Sequence, residues 1–342
     1  MTTVIRSAES TAPGEPLRLV DRKIADPGPG EVRLRIEASG VCHTDAKILQ
    51  GAFGTEVFPV VPGHEIAGRI ESVGEGVRPW RVGDRVTVGW YGGHCGWCDP
   101  CRRGDFLHCE NTQIPGVAYP GGYAEMIVVP ANALARIPDT LTAVQAAPLA
   151  CAGVTVFNAL RRSAARAGDT VAVVGLGGLG HLGVQFAAAM GMRVVVVARG
   201  EGKRDLATAL GAHHYIDSTA QDVPAALRRL GPPRVALATA ANSEAMVAAL
   251  DGLGDEGELL VIGVEPEPMP VSPLQLITPS KRISGHPSGT ATDVEDALTF
   301  AALTGVRAVV EEFTLEDAPA AYAHMMSGRA RFRAVLVPAL TN

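Results

Sequence analysis

From about residue 168 onward, hydrophobic positions come in short unbroken runs: "TVAVVG", "RVVVVA", "HHYID", "RVALATA" and "ELLVIG". Stretches with helical spacing lie between them, among them "LGHLGVQFAAAMG" and "RDLATALG". A strand buried on both faces reads as a continuous apolar run, and such runs alternating with helices mark βαβ units around a parallel sheet. The first turn of the series, "VVGLGGLGHLG", sets Gly175, Gly177 and Gly180 as G-x-G-x-x-G at the junction of a strand and a helix. In that context the glycines let a pyrophosphate settle on the amides at the helix start. The plain alternative is a glycine-rich turn without a ligand, and the surrounding repeats argue against it.

The first 150 or so residues have a different texture. Short β-rich runs ("GEVRLRIEASG", "AGRIESVGEGV", "GDRVTVGW", "GGYAEMIVVP") are separated by Gly and Pro, which predicts a twisted, partly barrel-like β domain. The last run, "FRAVLVPA", reads as a strand that returns to this domain, leaving the dinucleotide domain inserted. A chain of 342 residues, 47% hydrophobic and 19% charged, has enough apolar material for a large core and is long enough for two domains. The formal net charge of −6 and the lack of any Lys/Arg-rich run exclude a nucleic-acid partner. The amino terminus, "MTTVIRSAES", has no apolar core of a signal peptide, and no stretch approaches the roughly 18 apolar residues of a membrane span. A cytoplasmic protein with no membrane partner is expected.

The six cysteines divide into a cluster and two singletons. Cys95, Cys98, Cys101 and Cys109 lie in "HCGWCDPCRRGDFLHCE" with spacing C-x2-C-x2-C-x7-C, which lets one loop turn four thiolates toward a tetrahedral zinc ion. Four protein ligands leave no position for a substrate, so this metal would be structural. Arg102 and Arg103 are close enough in sequence to offset the excess negative charge. The alternative is four reduced, unligated thiols, an arrangement prone to oxidation.

A catalytic zinc site needs three protein ligands and an open position, and a Cys2His set is one known form. Cys42, in "SGVCHTDAKIL", and Cys151 supply two thiolates, and "VPGHEIAG" offers His64 in a constrained turn. Such a set cancels the charge of zinc, so a bound alcohol can lose its proton without large net charge building up. Taken singly, the two cysteines read as small buried hydrophobes and the histidine as a satisfied polar residue. Spacing alone does not join three positions so far apart.

A family resemblance joins them. In chain order, "GVCHTD", "GHEIAGRIESVGEGV" (residues 63–77), the four-cysteine lobe, "CAGVTVFNAL" and "GLGGLG" resemble the zinc-dependent alcohol dehydrogenases of the medium-chain dehydrogenase/reductase superfamily, nearly end to end. The resemblance implies an α/β fold: a Rossmann-type doubly wound parallel sheet (153–286) inserted in a β-rich GroES-like catalytic domain (1–152 plus 287–342). It also implies two Zn2+ per chain, a nicotinamide cofactor, a small alcohol or aldehyde substrate, and a homodimer or homotetramer. By position, Cys42, His64 and Cys151 correspond to the catalytic zinc ligands and Glu65 to a carboxylate that approaches the metal. Asp45 corresponds to the residue that orients His64, a support that metal-bound histidines usually have. Thr44 would begin the proton path. His43 would lie near the cofactor pyrophosphate, and Thr155 and Leu179 near the nicotinamide, with Gly178 and Val264 completing the cofactor-binding set.

The chain departs from many relatives at Lys47, where they carry a proton-passing histidine; Lys47 either takes over that step or is a solvated side chain. Trp90 and Tyr91 would wall the substrate pocket, or merely pack. Cofactor choice falls on "VVVVARGEGKRDLA", where Ala198 occupies the place at which NAD enzymes usually carry an acid. Arg199, with Lys203 or Arg204, then favours NADP(H). NAD(H) remains the alternative, with Arg199 over the adenine and Glu201 on the ribose. The nearest other activities are a zinc-containing aldehyde reductase or polyol dehydrogenase and a zinc-free quinone reductase. A nucleotide-binding sensor without turnover is a reading of a different class.

Overall fold

A computed structural model describes residues 3–264 and 266–339. The chain divides into two compact units: Met1–Val154 with Gly289–Leu303 and Ala308–Asn342, and Thr155–Ser288 with Thr304–Arg307.

The first unit opens with an antiparallel hairpin, β1 (Thr3–Glu9) and β2 (Arg18–Ile24). Its main sheet uses β3 (Glu31–Gly40), β4 (Ile66–Val73), β5 (Arg85–Val88), β6 (Met126–Pro130) and β7 (Ala135–Arg136). The second unit holds six parallel strands: β8 (Thr170–Val174), β9 (Arg193–Ala198), β10 (His214–Asp217), β11 (Val235–Ala238), β12 (Glu258–Val261) and β13 (Arg282–Gly285). The chain then returns to the first unit with β14 (Val310–Thr314) and β15 (Arg333–Val337).

In the first unit the strands run β14-β15-β3-β4-β5-β7, and β6 also pairs with β3. β6 covers Glu31–Arg35 of β3, whereas β15 meets only Ser39 and Gly40, so the sheet branches at its longest strand. Register shifts between β3 and β4, at Arg33/Leu34 and Ile36/Ala38, bend it further. Leu34, Ile36, Ile66, Ile70, Val86 and Val88 fill its core. In the second unit the order is β10-β9-β8-β11-β12-β13, all parallel, with strand order reversing between β8 and β11. Val171–Val174 and Val194–Val197 are fully or almost fully buried, as their unbroken apolar runs require. No single helix among the described residues is long and apolar enough to cross a membrane.

Candidate functional site

Strand ends build the first site. β3 and β4 are antiparallel with Ser39 opposite Ile66, and the Gly40 amide donates to the Glu65 carbonyl, so the exit of β3 lies beside the entry of β4. Cys42 follows β3 as the N-cap of the helix His43–Leu49, and His64 and Glu65 precede β4. β15 adds to the same end: the Val41 amide donates to the Ala334 carbonyl. Cys151 comes from the turn after the buried segment Ala147–Ala150, which packs on β3, β4 and β5. Donor atoms of Cys42, His64, Glu65 and Cys151 all lie within 4.8 Å of one another.

Asp45 organises this group. Its Oδ1 accepts from His64 Nδ1 at 2.8 Å and from the Gly63 amide at 3.2 Å. Its Oδ2 accepts from the Cys42 amide at 2.9 Å and the Tyr123 hydroxyl at 3.0 Å. Gly63 sits at φ +107°, and a Cβ there would come within 2.5 Å of the Tyr123 ring, so the turn before His64 needs glycine. With Nδ1 committed to Asp45, the other ring nitrogen of His64, Nε2, is buried and has no hydrogen-bond partner among the described residues. A buried ring nitrogen left unpaired beside two sulfurs is costly unless a metal takes it, so the donor set fits zinc.

Charge in the group follows from the same packing. A hydrogen bond from Cys151, aided by the nearby His64, holds the Cys42 thiol well below its usual range despite burial. That same bond, together with burial, pushes Cys151 well above it. Of the two sulfurs, Cys42 is therefore the one whose ionisation the packing favours, and a bound cation would favour ionisation of both. Burial lifts Glu65 to about 7, against the pull of the Arg333 guanidinium that hydrogen-bonds its Oε1. Oε2 is buried without a hydrogen-bond partner among the described residues.

The remaining sequence-derived residues of this unit fall around the cluster. Thr44 Oγ1 lies 3.7 Å from Cys42 Sγ. His43 is exposed and Lys47 half-buried on the same short helix. The Trp90 ring meets His64 edge-on, with centroids 5.0 Å apart, and leans on Phe53 at 5.6 Å. Tyr91 is half-buried, and its hydroxyl is pushed up by desolvation.

The four-cysteine lobe closes on itself. Cys109 Sγ stands 3.7 Å from Cys95 Sγ and 3.9 Å from Cys98 Sγ. Ligands at about 2.3 Å on a tetrahedral zinc lie about 3.8 Å apart, so the spacing fits the ion. Amides of Cys98 and Asn111 donate to Cys95 and Cys109 respectively. Desolvation opposes ionisation of Cys95, but amide and Asn111 donors bring it to about 6. Local donors thus meet part of the negative charge; Arg102 and Arg103 are exposed and make no side-chain hydrogen bond to a sulfur among the described residues.

The second unit carries a cavity of about 950 Å³. Gly175, Gly177, Gly178, Leu179, Ala198, Arg199 and Lys203 border it. A Cβ on Gly180 would meet the Gly175 carbonyl at 1.9 Å, whereas one on Gly177 would meet nothing within 4 Å. The first closes the strand–helix turn, and the second leaves the backbone open to a ligand. Thr155, buried on the helix Ala152–Arg162, and Val264, exposed after β12, are not among the cavity's lining residues. Glu201 is turned onto Arg204 in a two-point ion pair at 2.5 and 2.9 Å and does not border the cavity.

Tyr123, Arg333 and Phe53 were not reached from the sequence. No spacing rule links Asp45 to Tyr123, 78 positions on, or Glu65 to Arg333, 268 positions on. The one available signal for Arg333 was its place at the start of the returning strand.

Residues 28–139 match the family model for the alcohol dehydrogenase GroES-like domain, and residues 178–303 that for zinc-binding dehydrogenases. An alcohol dehydrogenase of Aspergillus sp. (strain MF297-2) is 44% identical over 94% of this chain and 95% of its own. An NADP-dependent alcohol dehydrogenase C of Mycobacterium bovis is 35% identical over 98% and 99%. Among solved structures, a cinnamyl alcohol dehydrogenase from Sorghum bicolor superposes with a TM-score of 0.90 at 30% identity, covering 98% of each chain.

Proposed function

The chain belongs to the zinc-dependent alcohol dehydrogenases of the medium-chain dehydrogenase/reductase superfamily, and on that premise we propose that it interconverts primary or secondary alcohols with aldehydes or ketones, using NADP(H) and two zinc ions. The carrying observation is the buried, unpaired His64 Nε2 among the donors of Cys42, Glu65 and Cys151, with Nδ1 anchored on Asp45. Zinc held there supplies a Lewis acid, and the nicotinamide supplies the hydride acceptor or donor.

The chain's own groups do the rest. Cys42 and Cys151 balance the cation's charge, and Asp45 fixes the His64 ring so that Nε2 faces inward. Thr44 Oγ1, beside the Cys42 sulfur, takes the alcohol's proton. Lys47, one helical turn further on, or a water, carries it outward. Glu65 is paired with Arg333, and its carboxylate lies among the donor atoms that would hold the metal. Trp90, with Phe53 behind it and Tyr91 beside it, walls the substrate side and suits an apolar or aromatic group better than a polyol.

The cofactor reading rests on the end of β9. Ala198 offers no carboxylate to repel a 2′-phosphate, Arg199 is exposed at the cavity, and Glu201 is occupied by Arg204. That favours NADP(H) over NAD(H). Six cysteines with no disulfide among them suit a reducing compartment, so we assign the protein to the cytoplasm, as a homodimer or homotetramer.

Metal analysis tests the core of this reading. Purified protein should hold two zinc ions per chain, and Cys42→Ala or His64→Ala should hold about one and lose turnover. Thr44→Val should cut alcohol oxidation by about two orders of magnitude while Thr44→Ser keeps much of it. Full activity in zinc-free protein would overturn the assignment, and a panel of alcohols and polyols separates it from a polyol dehydrogenase. Zinc-loaded protein that binds cofactor but turns over nothing in that panel would instead be a sensor.

A further inference from the structure

The loop that follows β9 is held from the neighbouring strand at both ends of one residue. Gly200, at φ +72°, donates its amide to Asp217 Oδ1 at 2.7 Å, and its carbonyl accepts from the Tyr215 hydroxyl at 2.6 Å. Tyr215 and Asp217 are two apart on β10, so both side chains leave the same face of the strand, opposite Val196 and Ala198 of β9. Asp217 Oδ1 also accepts from the Thr219 amide at 2.9 Å and its hydroxyl at 2.7 Å, which fixes the carboxylate. The Arg204 guanidinium lies 4.9 Å over the Tyr215 ring and grips Glu201 with two bonds. The adjoining Arg199 borders the cavity, exposed, with a guanidinium that makes no hydrogen bond or ion pair among the described residues.

We propose that Tyr215 and Asp217 are positioning residues for cofactor choice: by locking Gly200 they present Arg199 to the adenosine 2′-phosphate, while Arg204, stacked on Tyr215, keeps the Glu201 carboxylate away from it. A glycine with positive φ is the most mobile point of such a loop, and fixing its amide and carbonyl before ligand arrives removes ordering cost from binding. Withdrawing Glu201 removes the loop's only carboxylate, the group that would otherwise repel the phosphate or serve the ribose hydroxyls of NAD(H).

This inference rests on the NADP(H) reading, and the experiment separates the two. Zinc-loaded full-length protein is titrated by calorimetry with 2′,5′-ADP and with 5′-AMP, and KM and kcat are measured with NADPH and NADH. Arg199→Ala tests the reading itself and should erase the preference for 2′,5′-ADP. Tyr215→Phe keeps the ring under Arg204 and deletes one hydrogen bond; it should weaken 2′,5′-ADP by about five- to tenfold, leave 5′-AMP within about twofold, and raise KM for NADPH without lowering kcat. Arg204→Gln should shift selectivity the same way, and adding Glu201→Gln should restore it. If Arg199→Ala loses the preference but Tyr215→Phe leaves both affinities unchanged or weakens both equally, the positioning role is overturned and the cofactor reading stands. If the parent itself shows no preference for the 2′-phosphate, both fall.

Discussion

Two oxygens of Asp45 serve four donors, and that accounting decides what a substitution there does. Asp45→Asn keeps the shape but turns an amide NH2 toward at least one of those donors, leaving a buried pair of hydrogens opposed. Zinc affinity at the Cys42 site should fall by about 10- to 100-fold, measured by competition with a chelator. Tyr123→Phe removes a single donor and should fall less far; an unchanged affinity in both variants would reduce Asp45 to a helix cap. Asp45 was legible because it sits three residues from Cys42 in a motif shared with a known family. Tyr123 was not, because its approach depends on the backbone bonds of Gly122 and Tyr123 to Gly63 and Pro62, which no local pattern announces. Arg199 shows a middle case: its charge and place were readable, but the pairing of Glu201 with Arg204 that clears its surroundings was not.

Elements carry their own stability, and two can be tested apart from the chemistry. Cys98→Ser should lower zinc by one ion per chain and depress the melting temperature first, with activity lost only as the lobe loosens; unchanged zinc and melting would remove the structural role. The turn into β15 is fastened by Glu311 of β14, which accepts from the Arg331 amide and from His324 Nε2 at 2.7 Å. Those donors, the amide first, hold the Glu311 carboxyl below its usual range despite some desolvation. A carboxylate with a depressed folded pKa stabilises above the unfolded value, near 4.3, and that contribution vanishes as pH falls through the folded value. Glu311→Gln should therefore melt below the parent at pH 7, and the gap should close as pH drops below about 4. Calorimetry across that range checks it, and a constant gap would show the contact to be indifferent to charge. At this scale the sequence was informative for strands, since runs such as "RVVVVA" and "FRAVLVPA" fall on β9 and β15. It was silent on pairing: that β15 enters between β14 and β3, and so brings Arg333 to Glu65, depends on contacts between segments some 300 residues apart.

At the scale of the whole molecule, the side chains that could hold a metal belong to one compact unit and the glycine-lined cavity to the other, and the hydrophobic texture of the sequence changes near residue 168. What lies outside the chain is a question of edges. β13 ends the six-stranded sheet, with no strand on its outer side among the described residues. Just before it in sequence, the short helix Pro273–Ile277 leaves Leu274 and Ile277 71% and 73% exposed, and Val264 is 66% exposed. An open strand edge near bare aliphatic side chains is a liability that folded proteins cover, and in the homodimer or homotetramer proposed above a second copy related by a two-fold axis would cover it with the same surface on both partners. Sedimentation should accordingly find the parent at two or four times the chain mass. In such a dimer Leu274→Glu with Ile277→Glu would set like charges face to face and should halve the assembly, while zinc content and cofactor affinity persist because neither residue belongs to a proposed site. A monomeric parent would remove the self-association, and a variant that keeps the parent's mass would move the contact to another face.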